Sequence, residues 1–173
     1  MLSNGRIYLR PMKITRCDDA VANGLQGLLE NYGIKLVRVP AGEPIPGSWF
    51  GDPEAGLIGN RLMVRADTPL HSALHESCHY VCMDEARRGN LHTDAGGGYD
   101  EENGVCYLQI LLADLLPGYG RQEMFRDMDA WGYSFRLGSA RVWFEQDAGD
   151  AREWLLHHAL IDESGNPTWI LRK

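Results

Sequence analysis

The spacing of apolar positions changes several times along the chain, and each change marks an element. Ile7, Leu9, Met12 and Ile14 give Arg6 to Ile14 the character of a strand. An amphipathic helix follows from Asp18 to Asn31 and stops at Tyr32-Gly33, where Gly33 is the only punctuation. Ile34 to Val39 alternates, is rich in β-branched residues, and predicts a second strand. Pro40 to Gly56 carries Pro40, Pro44, Pro46 and Pro53 among several glycines, so it reads as a long loop with Trp49 and Phe50 as anchors. Leu57 to Arg65 forms a third strand.

That strand runs directly into a helix from Pro69 to Arg88. Thr68 suits its N-cap, and Pro69 its first position, where a fixed φ helps and the missing N–H costs nothing. After the run Gly96-Gly97-Gly98, a second long helix spans Asp100 to Asp114 with Asp100 as its N-cap. Arg121 to Trp131 and Arg141 to Leu160 read as further helices, the last placing Trp143, Phe144, Trp154 and Leu155 in the core. Pro167 to Leu171 is a short closing strand. The order predicts an α+β fold, a small mixed or antiparallel sheet packed on a helical bundle, as one domain over residues 1–173.

Composition narrows the setting. No repeat or low-complexity segment interrupts the 173 residues, and a formal net charge of -7 argues against a general nucleic-acid binder, which needs clustered Lys and Arg. Met1 to Arg6 begins no apolar signal sequence. The longest apolar stretch, Val105 to Leu116, is broken by Gln109 and Asp114 and is too short for a bilayer, so no membrane association is expected. Cys17, Cys78, Cys82 and Cys106 form no CxxC pair and sit mostly at apolar helical positions. Reduced, buried thiols in a cytoplasmic protein have this profile.

The chemistry concentrates in His75-Glu76-Ser77-Cys78-His79, an HExxH sequence inside the helix from Pro69. Residues four apart on a helix share a face, so two imidazoles can grip one metal ion while Glu76 stands beside it without being a ligand. A cation of this kind brings the pKa of water toward neutrality, and a neighbouring carboxylate takes the proton as that water attacks a carbonyl. His71 lies one turn earlier, but three imidazoles along one straight helix cannot converge tetrahedrally on one ion, so His71 is expected in the pocket wall.

The segment from Ala66 to Val81, about a tenth of the chain, resembles the active-site helix of the HExxH zinc metallopeptidases, the zincins. The resemblance implies His75 and His79 as zinc ligands, Glu76 as general base, and a peptide or protein as substrate. The metzincin extension fails, because Cys82 stands at its glycine position and Glu85 at its final histidine. In an unbroken helix Glu85 lies about 240° round the axis from His79 and faces away from the ion. A gluzincin-like arrangement draws its third ligand, a Glu, from a second helix, and the helix from Asp100 offers two. Glu101 is in line with Val105, Leu108 and Leu112. Glu102 is in line with Cys106, Gln109 and Ala113, a smaller and more polar stripe better suited to a metal pocket, and is the choice here. Either carboxylate also favours the helix dipole with no metal present. The order of elements is shared with zincins, whose edge strand borders the cleft and can pair with extended substrate.

Other roles stay open. His92 and Asp94, between the two helices, could orient a ligand or touch substrate. Tyr133, His157 and His158 lie downstream, where other zincins carry a donor for the oxyanion, and no spacing rule chooses among them. Three alternatives compete with a peptidase: a structural zinc site of Cys78, Cys82 and Cys106 with histidine, a zincin-like binding or regulatory module without turnover, and an interaction domain with no metal.

Overall fold

The structure, a computed structural model, describes residues 13–173, and the expected strand from Arg6 lies almost entirely outside them. In chain order the elements are α1 (Asp19–Glu30), β1 (Lys35–Arg38), β2 (Gly56–Ile58), β3 (Arg61–Val64), α2 (Leu70–Cys82), α3 (Glu85–Gly89), α4 (Tyr99–Ala113), α5 (Arg121–Trp131), α6 (Ala140–Gln146) and α7 (Gly149–His157). The class is mixed α+β: among the described residues, seven helices and one three-stranded sheet. No helix among them is long and apolar enough to cross a membrane.

Leu25, Leu28 and Leu29 bury one face of α1. The helix stops as its glycine requires. Gly33 takes φ +70°, its N–H donates to Glu30 O, and Ile34 N–H donates to Leu29 O, which together close a Schellman motif. β1 then pairs parallel with β3, and β2 pairs antiparallel with β3, giving the order β1-β3-β2. The single strand expected from Leu57 to Arg65 is therefore a hairpin. Gly59-Asn60, with Gly59 at φ +55°, turns the chain between β2 and β3.

This corrects a second expectation. β3, which leads into α2, is central, and the edge strand β2 is closed by its own chain. Leu57 N–H donates to Gly47 O, Leu57 O accepts from Thr93 N–H, and Gly59 N–H donates to Leu91 O. An extended peptide finds no free ladder of partners there.

Helix α2 runs through the centre, with all thirteen of its residues buried. Its N-terminus is held differently from the expectation. Thr68 Oγ1 turns back to accept from Arg65 N–H, Pro69 occupies the N-cap, and Leu70 N–H donates to Thr15 O. The helix also ends sooner. Met83 leaves the helical conformation, and Asp84 caps α3 by accepting from Arg87 N–H, so Pro69 to Arg88 is two helices.

Helix α4 packs on α2 along one side and on α7 along the other. It starts at Tyr99 with Gly98 at the N-cap, which places Asp100 inside the first turn. Downstream, the stretch from Arg141 to Leu160 divides into α6, capped by Ser139, and α7, with Asp147 and Ala148 between them. Trp143 and Leu155 are buried, and Phe144 stacks on Tyr107. Pro167 makes one bridge to Ile161 and no strand follows. The tail instead lays Trp169 on Tyr32 and bonds Arg172 N–H to Val81 O at the end of α2. Trp49 and Phe50, expected as anchors, are exposed.

Gly104 sits where α4 meets α7, and a Cβ there would come within 2.7 Å of the Trp154 ring. Gly104→Ala should destabilise the protein: overpacking costs about 1–3 kcal/mol, of which better helix propensity returns up to about 1. Urea unfolding checks this as a lower midpoint with unchanged slope.

Candidate metal centre

Helix α2 sets His75 and His79 one turn apart, with their Nε2 atoms 3.1 Å from each other. From α4, Glu102 brings one carboxylate oxygen to 3.1 Å from His75 Nε2 and the other to 3.3 Å from His79 Nε2. Two turns along α4, Gln109 reaches the opposite side of the same imidazole, its Oε1 2.6 Å from His75 Nδ1. The amide orientation is set by its other end, where Nε2 donates weakly toward His71 O at 3.5 Å. His75 therefore carries its proton on Nδ1, donates it to Gln109, and turns the Nε2 lone pair toward Glu102 and His79.

A carboxylate and two imidazole nitrogens facing one another repel unless something positive lies between them. Among the described residues, His75, His79 and Glu102 form the one group of side chains able to hold a metal ion, with ligand atoms all within 4.8 Å. Nitrogen and oxygen donors in this number fit a borderline divalent ion. Without such an ion the site draws a proton: burial opposes a charge on His75, but Tyr133, Cys106 and Glu102 outweigh it and push its pKa up. His79 moves the other way, to about 4, through burial and the neighbouring His75. Burial also opposes ionisation of Glu102, yet its hydrogen bond to His75 and the charges of both histidines hold its carboxyl below the usual value.

The two adjacent glutamates part at the start of α4. Glu101 is buried and binds Arg87 and Arg172, the latter donating from Nη1 to Oε2 at 2.9 Å. Its role is to fasten the C-terminal segment and α3 to the first turn of α4. Glu102, about 100° further round, keeps its carboxylate for the histidines.

Glu76 is 6% exposed. Its carboxyl is pushed up to about 7, chiefly by burial, with the carboxylates of Glu54 and Glu102 adding to the shift and His75 opposing it. No hydrogen bond contributes. The side chain faces two neighbouring clefts of about 320 and 300 Å³ that share Phe50, His75, Glu76 and Glu102 in their walls. Ser72, Glu54, Trp131, Gly132 and Tyr133 complete the first, while His79, Trp49 and residues 93–97, including Asp94, complete the second.

No protein-family model, curated protein or solved structure matches this chain.

The remaining candidates fall on either side of the cluster. His71 is buried outside the metal-capable group, with Trp131 and Tyr133 rings 5.2 and 5.4 Å away and Nδ1 3.2 Å from the Tyr133 hydroxyl. Burial, helped by His75 and Arg16, depresses its pKa to about 3, so it stays neutral. His92 is exposed and bonds Thr93, and Glu85 is exposed on α3. His157 and His158 end α7, His158 against Trp154, and neither lines the clefts. All four cysteines are free and buried, and none belongs to the metal-capable group found among the described residues. Sequence reasoning found Gln109 only as part of a polar stripe. It missed Glu54 and Trp131, whose loop-to-helix contact leaves no local periodicity.

The Glu76 shift has a consequence for stability. A carboxyl whose pKa rises from 4.5 to about 7 on folding favours the folded state below the unfolded value, and that contribution is lost as pH climbs through 7. In chelator-treated protein, Glu76→Gln should therefore be more stable than wild type at pH 8, by on the order of 3 kcal/mol, and equal to it near pH 4. Denaturant titrations at the two pH values test the sign.

Proposed function

We propose that this protein is a zinc-dependent peptidase in which His75, His79 and Glu102 hold the metal and Glu76 is the general base. The observation that carries the reading is the convergence of two imidazole nitrogens and a carboxylate on one point, beside a buried carboxyl that makes no hydrogen bond among the described residues. Zinc held there would supply a Lewis acid able to acidify water and polarise a carbonyl oxygen. Glu76 takes the proton from the attacking water and returns it to the departing amine.

Tyr133 is the donor we assign to the oxyanion. Of the three residues the sequence leaves open, it alone lines a cleft, with its ring 5.8 Å from that of His75. Because the β2 edge is filled by residues 47 and 91–93, a peptide is held by the cleft's side chains and not by an added strand. Four free, buried thiols suit a reducing compartment, and we place the protein in the cytoplasm.

Elemental analysis of purified protein should give about one zinc per chain, and Glu102→Ala should lose it. Glu76→Gln should keep the zinc while peptide cleavage falls by roughly 10²–10⁴-fold. A protein that holds zinc and whose activity is indifferent to Glu76→Gln is a binding module.

Gln109 supplies a further test. Gln109→Ala frees His75 Nδ1 and should weaken zinc affinity by about 10–100-fold in a chelator competition assay, with the helical content retained.

A further inference from the structure

The cleft of about 320 Å³ beside Glu76 contains a carboxylate that the proposed chemistry does not use. Gly132 ends α5 at φ +105°, and this turn sets Trp131 and Tyr133 on either side of it as cleft walls. Glu54 comes from the loop opposite. Its Oε1 accepts from Trp131 Nε1–H at 2.6 Å, which fixes the carboxylate at the mouth of the cleft, and its second oxygen accepts no bond among the described residues. Phe50 overhangs the same space, 71% exposed.

Charge decides what such a space accepts. Neither cleft has a Lys or Arg in its walls. Glu54 adds a negative charge to this space with no cation facing it. Aromatic faces around a carboxylate attract a cation twice over, through the ring quadrupoles and through the ion pair.

We propose that Glu54, with Trp131, Tyr133 and Phe50, forms a subsite for one positively charged group of the substrate, an ammonium or a guanidinium. That the group belongs to a peptide rests on the peptidase reading. The preference for a cation rests on the cleft alone. The group is either a free amino terminus or a basic side chain, and Glu54 acts on it as a binding residue, not a catalytic one.

The test uses full-length Glu76→Gln protein, which removes the neighbouring carboxylate as a competing source of attraction. Three probes are titrated while tryptophan fluorescence is followed: tetra-alanine amide with a free amino terminus, its N-acetyl form, and an N-acetylated Ala-Lys-Ala-Ala amide. At least one cationic probe should bind about tenfold or more tightly than the neutral one, and added salt should weaken only the cationic binding. Whichever cationic probe wins identifies the source. Adding Glu54→Gln should abolish the preference, while Glu43→Gln, in the same loop and exposed, should leave it intact. Equal binding of charged and neutral probes, or a preference that survives Glu54→Gln, overturns the subsite. Should the Glu54 variant fail to fold, the salt dependence and the probe comparison on the parent protein still decide. A cation preference in a protein that never cleaves peptides overturns the peptidase reading and leaves the subsite standing. Cleavage without charge preference does the reverse.

Discussion

The structure depends on burying a polar helix. Every residue of α2 is removed from solvent, including His71, Ser72, His75, Glu76, Ser77 and His79, and each buried polar group needs a partner or costs several kcal/mol. Most are satisfied locally. Ser77 Oγ donates to Ala73 O, Ser72 Oγ accepts from Ala55 N–H, His71 meets the Tyr133 hydroxyl, and His75 donates to Gln109. What is left over is Nε2 of His71, the paired Nε2 atoms of His75 and His79, Nδ1 of His79, and the carboxyl of Glu76. Apart from the His71 nitrogen, this remainder of α2 lies at the candidate metal centre.

Helix α4 resolves part of that inventory by dividing labour along its length. Gln109 fixes the tautomer of His75 from behind while Glu102 faces its other nitrogen, so one helix holds both sides of one ring. Glu101 fastens the first turn through Arg87 and Arg172. Gly97 is part of that fastening, since a Cβ there would meet Glu101 Oε1 at 2.7 Å. A rigid first turn matters because Glu102 is half exposed, and a loosely held carboxylate would lose the register that brings its two oxygens to two different histidines.

The two helices that build the centre were readable in the sequence because both are long, periodic and local. Histidines four apart share a face wherever the helix is packed, and the stripe of Glu102, Cys106, Gln109 and Ala113 was distinguishable from that of Glu101 by polarity alone. Breaks inside apolar runs were harder. Gly59-Asn60, Asp84 and Asp147 are all turn or cap residues, yet each sits in a stretch whose apolar pattern continues on both sides, and the continuity masked the break. Thr68 shows the limit of local rules from the other direction. Its hydroxyl could cap α2, but the carbonyl of Thr15, far away in sequence, takes the first helical N–H and frees Thr68 to bond Arg65. The cleft wall was not legible at all, because Glu54 and Trp131 are 77 residues apart and meet only through the tertiary fold.

The closed edge of β2 ties the sheet to the cleft. Residue 47, which accepts from Leu57 N–H, lies just before Trp49 and Phe50, and residues 91–93, which cover the same edge, run directly into Asp94. The two segments that remove the strand edge from use are thus the ones that wall the cleft. Backbone pairing gives affinity without choice among side chains, and its loss has to be made up by contacts that do choose. On the proposed reading, the adjoining cleft, with aromatic rings, three glutamates and no Lys or Arg in its walls, discriminates by size and charge. On the same reading, closing the edge would turn a surface suited to any extended chain into one that selects its ligand by side chain.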